Sequence, residues 1–332
     1  MSMTSTRHIP STDTRGRAAI ARFLQAQGLL FDEGVQFSVA VYDDNEQLVG
    51  TGSFDHNTIK CVAIDESQRG LNLTGTVITQ LINEQYRRGI THVFLYTKPT
   101  NLTFFADFGF YVIAKTADVA LLENKRSGVQ SYLDALSCPP IEPAQSIAGI
   151  VMNANPFTLG HRHLVETASK AHDVVHLFMV EADRSEFSTQ ERYELIKQGI
   201  GDLPNVYLHR GGDYIISAAT FPSYFLKDTA LIVDAHARLD IELFCQHIAP
   251  ALGITTRYVG TEPTCQVTNH YNQVMTALGE QHGLNITQVE RLQVDGQVVS
   301  ASRVRALLSQ GELSAIKPLV PPATYAFLAE RK

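Results

Sequence analysis

The sequence predicts an α/β protein in two parts, an α+β domain with a largely antiparallel sheet followed by a doubly wound parallel sheet. Three observations carry this. After residue 146 short apolar strands alternate with helical patterns, the signature of a parallel sheet covered on both faces. Before residue 137 several strand patterns follow one another through short turns. Between the two lies "PPIEPAQ", where Pro139, Pro140 and Pro143 restrict the backbone and stop a helix. The expected division is therefore 1–137, a linker at 138–145, and 146–332.

In the first part "VQFSVAVYDD" and "QLVGTGSFD" form a predicted hairpin turning at Asp43, Asp44 and Asn45, and "TIKCVAI" follows as a strand. "VITQLINEQYRRGI" has helical spacing, "HVFLYTK" is a fourth strand, and helix-like "NLTFFADFGF" leads to the strand "YVIAKT". In the second part the predicted strands are "IAGIVMN", "VVHLFMV", "NVYLHR", "ALIVDA" and "TRYVGT". Helices are expected at "GHRHLVETASKA", "TQERYELIKQGI", "IELFCQHIAPAL" and "VTNHYNQVMTALGEQHG". Ligands of such sheets bind beyond the carboxyl ends of the strands, so residues near 153–161, 181–185, 234–236 and 260–262 should share one rim.

Net charge is −7, with no long run of Lys or Arg, which argues against nucleic acid or an anionic membrane as partner. The first residues carry no apolar stretch of signal-peptide length, and no run of about eighteen apolar residues suggests a membrane span, so the expectation is a cytoplasmic protein. Cys61, Cys138, Cys245 and Cys265 lie far apart without a CxxC pair and are expected to be reduced thiols.

The chemistry is expected where "IVMNANPFTLGHRHLVE" passes from strand through loop to helix. A Gly-His pair alone says little in a chain with 22 Gly and 12 His. At a helix start, however, outward-pointing amides and the helix dipole favour an anion, and His161 can donate to a phosphate oxygen there. His163, turned about 200° further round the helix, should have a surface or packing role. Asn153 and Asn155 at the strand end could orient acid or phosphates, or simply hold the loop.

A second helix start occurs in "VVSASRVRALLSQGEL": Ser300 or Ser302 can cap it, and Ser302 and Arg305 share one face of its first turn, suited to a triphosphate tail. Arg184 in the rim loop is a possible contact for a phosphate or another small anion. Arg192, on a helix opened by a capping box from Ser188 to Glu191, is assigned to a solvated helix face. Asp234 and His236 resemble a metal pair, but two ligands make a weak site.

"TLGH" after "NPF", together with "SASRVR", resembles the nucleotidyltransferase superfamily and its Rossmann-like HUP fold. The longer strings "MNANPFTLGHRHLVE", "RYVGTEPTCQVTNHYNQVM" and "VSASRVRALL", with "IKCVAI", "LYTKPTN" and "LLEN", are similar to the citrate lyase ligase family over nearly the whole chain. "FFADFGFYVIA" resembles the GNAT acetyltransferase fold, although "RGLNLTG" places Asn72 and Thr74 where the pyrophosphate loop of that fold usually has glycine. The resemblance implies an ATP- and Mg²⁺-dependent ligase. It would form acetyl adenylate from acetate, then acetylate the prosthetic-group thiol of the citrate lyase acyl carrier subunit, releasing AMP and diphosphate. It implies catalytic roles for His161, Thr158 and Arg305, and ATP contacts from Asn153, Asn155, Gly160, His161, Ser300, Ser302 and Arg305. Two alternatives are an adenylyltransferase acting on a phosphate-bearing acceptor and a non-catalytic nucleotide-binding regulator of the carrier complex.

Overall fold

The computed structural model describes all residues except 1–3, 69–71, 139, 141, 143, 182–184, 217–220, 222–223, 225–228, 262–265 and 332. Its contacts divide the chain into two compact units, Met1–Gly128 with Pro222–Ala235, and Val129–Phe221 with His236–Lys332. Of the predicted linker prolines, Pro139 and Pro143 fall outside the described residues, as does Cys265.

The first unit holds strands β1 (Ser5–Pro10), β2 (Phe37–Tyr42), β3 (Leu48–Asp55), β4 (Thr58–Ile64), β5 (Phe94–Thr97), β6 (Tyr111–Lys115) and β7 (Ala120–Glu123). Helices α1 (Thr14–Ala26), α2 (Leu73–Arg87) and α3 (Leu102–Ala106) accompany them, and α4 (Gly128–Asp134) follows at the unit boundary. The sheet order is β1-β2-β3-β4-β5-β7-β6, antiparallel except for the β4–β5 pair. Val77, Ile78 and Leu81 of α2 pack on Val39, Val41, Phe54 and Ile59, so helical and strand periodicities meet in one core. The predicted hairpin turn is present, with Asp43 Oδ1 accepting the amides of Asn45 and Gln47 at 2.9 Å each. The polar N-terminal stretch, not predicted as a strand, forms β1. It is a largely exposed edge strand, which needs no apolar alternation to pair with β2.

β4 and β5 pair only at Thr58 with Phe94 and at Ile59 with Leu95. Past that point Val62 and Ile64 of β4, with Leu95 and Thr97 of β5, line a cavity of about 520 Å³. Asn72 has φ 54°, left-handed backbone that Asn tolerates and glycine favours, while Thr74 lines the cavity.

The second unit is built on β8 (Ile147–Met152), β9 (Val174–Met179), β10 (Val206–Arg210), β11 (Thr256–Gly260) and β12 (Asn285–Val289), ordered β10-β9-β8-β11-β12 and parallel throughout. The order reverses direction at β8, so the loops after β8 and β11 flank the crevice of a doubly wound sheet. Helices α5 (Leu159–Ala171), α6 (Thr189–Gly199), α7 (Thr229–Leu243), α8 (Ala249–Leu252) and α9 (Gln266–Gln281) connect the strands. A small hairpin of β13 (Gln293–Val294) and β14 (Gln297–Val298) precedes α10 (Ala301–Ser309), α11 (Leu313–Ile316) and α12 (Pro322–Glu330). "ALIVDA", expected as a strand, lies inside α7. Leu231 is exposed and, among the described side chains of the segment, only Ala235 is fully buried, and an apolar run this short shows no period that separates a helix from a strand.

Candidate active site

β8 ends at Met152, and Asn153 through Phe157 carry the chain to α5. Thr158 is the N-cap of α5 and His161 its third residue, and the two form a reciprocal capping box. The His161 amide donates to Thr158 Oγ at 3.4 Å, and the Thr158 amide donates to His161 Nδ1 at 3.0 Å. Because Nδ1 accepts, the imidazole proton resides on Nε2, so the ring offers a donor. Burial and then the nearby Arg291 charge lower the His161 pKa to about 4, which keeps the ring neutral at pH 7. Phe157 stacks on it with ring centroids 5.8 Å apart.

Ser300 caps α10, its hydroxyl accepting the Arg303 amide at 3.2 Å. A methyl group on Gly160 would stand 2.9 Å from the Val299 carbonyl, so the second helix start comes as close to the first as a side-chain-free residue allows. Arg305 joins them, donating from Nη1 to the Asn155 carbonyl at 2.5 Å and from Nη2 to Ser302 Oγ at 3.3 Å, with Glu186 3.8 Å from Nε. Asn155 Oδ1 accepts the Phe187 amide at 3.1 Å and so ties the loop to the start of the β9–α6 region.

A cavity of about 530 Å³ opens between these helix starts, and Asn153, Thr158, Gly160, His161 and Ser300 line it. Asn155, Ser302 and Arg305 stand outside its lining and brace the rim. His163, expected to point elsewhere, also faces the cavity, because the cavity follows α5 as far as Leu164. Arg184 lies outside the described residues.

Three arginines matter in ways the sequence reading did not anticipate. Arg192, assigned there to a solvated face, is fully buried. Its Nη1 donates to the Asn153 carbonyl and Oδ1 at 2.8 Å each and to the Val180 carbonyl at 2.7 Å, while Nε donates to the Phe187 carbonyl at 3.2 Å. It holds the loop after β8 to the end of β9, and only the three-dimensional return of α6 to that loop could have shown it. Arg291 lines the cavity near His161, and Arg257 lines it among α7 and α9. His236 Nε2 lies 3.2 Å from the Ile216 carbonyl, and no group of three metal-ligating side chains occurs among the described residues. Asp234 and His236 sit on a helix and not at a strand end, although His236 lines the same cavity as Asn153, His161 and Gly260.

A parallel sheet whose strand-end loop and a second helix start close on one cavity is the architecture of Rossmann-like α/β proteins that hold an anionic ligand at the strand ends. Residues 147–328 match the family model of the citrate lyase ligase C-terminal domain. Over 96% of its length the chain is 43% identical to "[Citrate [pro-3S]-lyase] ligase" of Klebsiella pneumoniae, covering 94% of that protein. It is 41% identical to the protein of the same name in Escherichia coli K12, again over 96% of this chain and covering 92% of the other. The chain belongs to the citrate lyase ligase family. Solved structures similar to parts of it include a putative nicotinate-nucleotide adenylyltransferase from Vibrio parahaemolyticus, with TM-score 0.36, 18% identity, 56% of this chain and 99% of the other. A putative acyl-CoA N-acyltransferase from Klebsiella pneumoniae matches at TM-score 0.31 and 19% identity, over 36% of this chain and 96% of the other.

Proposed function

We propose that this protein is an ATP-dependent acid–thiol ligase that activates acetate as acetyl adenylate and passes the acetyl group to the prosthetic-group thiol of the citrate lyase acyl carrier subunit. The observation that carries this is the meeting of two helix starts, at Thr158 and Ser300, on one cavity in a chain of this family. In the first step an acetate oxygen attacks the α-phosphorus and the bond to diphosphate breaks. His161 Nε2–H donates to the α-phosphate oxygen as charge builds there, and being neutral it keeps that proton. Thr158 fixes the ring, so its part is to position His161. Ser302 and Arg305 at the rim, with the α10 amides, take the departing diphosphate, and Asn153 orients the reacting groups. In the second step the carrier thiolate attacks the acetyl carbonyl and AMP leaves.

The donor set of amides, imidazole, hydroxyls and guanidinium suits an anion better than a bare cation. Mg²⁺ brought with ATP would accordingly need few protein ligands and would supply neutralisation of phosphate charge. In the first unit, the cavity beside β4 and β5 has mixed walls, with Val62, Leu95 and Phe104 beside Thr97, Asn101 and Lys98, that would suit the carrier's CoA-like arm. No helix among the described residues is long and apolar enough to cross a membrane.

Incubation with ATP, Mg²⁺, acetate and hydroxylamine tests the proposal. Acetate-dependent diphosphate and acetohydroxamate are expected. Diphosphate released only with a phosphorylated acceptor would replace this reading with an adenylyltransferase, and no product at all with a regulator.

A further inference from the structure

We infer that the inner end of the second unit's cavity is the carboxylate subsite for the acid substrate, and that Arg257 binds it. This rests on the ligase reading above and deepens it by naming the charged group that holds the acid. Arg257, on β11, is 3% exposed. Its Nη2 donates to Asp240 Oδ2 at 2.9 Å, and the same oxygen accepts the Tyr271 hydroxyl at 2.8 Å. Nε and Nη1, also buried, have no hydrogen-bond partner among the described residues. The side chain lines the cavity that His161 and Ser300 line. Two buried guanidinium nitrogens without acceptors are costly, and native structures satisfy such groups with a ligand or ordered water.

The chemistry selects a small monoanion. Asp240 already balances the guanidinium, so a dianion such as phosphate would meet an uncompensated carboxylate, whereas a carboxylate brings a single charge and can offer one acceptor oxygen to a vacant N–H while its second oxygen stays free. Val151, Val259 and Met275 supply apolar wall for a short alkyl group. One carboxylate oxygen then accepts from Arg257 and the other attacks the α-phosphorus. The bond from that phosphorus to diphosphate breaks, its electron pair leaves with diphosphate, and no proton has to move.

The test is steady-state diphosphate release with acetate and ATP varied separately, joined to thermal unfolding with and without acetate. In Arg257→Met the KM for acetate should rise about tenfold or more, the loss of a charged hydrogen bond, while the KM for ATP stays within about twofold. In Asp240→Asn acetate becomes the guanidinium's only counter-ion, so its KM should fall and acetate should raise Tm more than in the parent. A purely structural Arg257–Asp240 pair predicts the opposite for Asp240→Asn. Should Arg257→Met not fold, Arg257→Lys and Asp240→Asn decide. An acetate KM unchanged in Arg257→Lys or Arg257→Met, or raised in Asp240→Asn, overturns the subsite. If the parent protein forms no acetate-dependent diphosphate the ligase reading itself fails, and acetate-induced stabilisation, present in the parent and absent in the Arg257 variant, still judges the subsite alone.

Discussion

At the scale of single residues the site is a set of donors whose protonation is fixed by what surrounds them. His161 illustrates this, because the Thr158 amide fills Nδ1 and burial removes the charged form. With a pKa near 4 instead of the usual 6.5, the ring stays a neutral donor across the physiological range. The acid limb of the pH profile for acetate-dependent diphosphate release should therefore show no inflection near 6.5 from this group, and loss of its neutral form only as pH approaches 4. Truncation in His161→Ala should lower turnover by roughly 10²- to 10³-fold, as removal of an oxyanion donor does. The same change removes half of a capping box, so unfolding should also become easier, by about 1 kcal/mol. Arg192 acts on a different link, from packing to loop geometry. Replacing it with Met strips buried acceptors at Asn153, Val180 and Phe187 of their donor. Each orphaned group costs about 1 to 3 kcal/mol, so urea unfolding should show a loss of several kcal/mol, with the KM for ATP rising in whatever protein still folds.

At the scale of elements, parallel strands bring side chains into pairs that are distant in sequence. β9 and β10 place His176 Nδ1 2.9 Å from His209 Nε2, both rings buried. Burial lowers the pKa of each to about 4, and for His209 the neighbouring His176 adds to it. The unfolded chain binds these protons more readily than the folded one. Stability that is whole above about pH 6.5 is thus lost as pH falls through 6.5 toward 4. By pH 5 the loss should be about 2 kcal/mol per imidazole. Denaturant midpoints at pH 7.5 and 5 should differ accordingly, and His209→Gln should narrow the difference; equal midpoints in the parent protein would count against the buried pair. The capping boxes of α5 and α6 work at this scale as well. Each fixes where a helix begins, and hence where its first amides point.

At the scale of the whole molecule, the order of strands in the second sheet places the loops after β8 and β11 on either side of one crevice, and the chain returns through α10 to close it. Much of this was legible beforehand. Strand and helix periods on either side of residues 138–145 gave both sheet types, because side-chain spacing is a local property. The Thr158–His161 and Ser300–Arg305 segments carried cap residues at helix starts, and a cap is also local. The helix α7, the edge strand β1 and the strand β12 were missed for the converse reason. One opens with an apolar run too short to reveal its period and the others lie at sheet edges, so neither kind displays the pattern that a longer half-buried element shows.

The sequence by itself thus determined the class of each sheet and where the two helices start, since both follow from short-range spacing and local capping. Only the tertiary structure decided that Gly160 lies against Val299, that Arg192 is enclosed, and that Arg257 stands in the cavity with two nitrogens unpartnered among the described residues. Those depend on which surfaces meet after residues far apart in the chain are packed together, and burial is a property of that packing and not of any one segment.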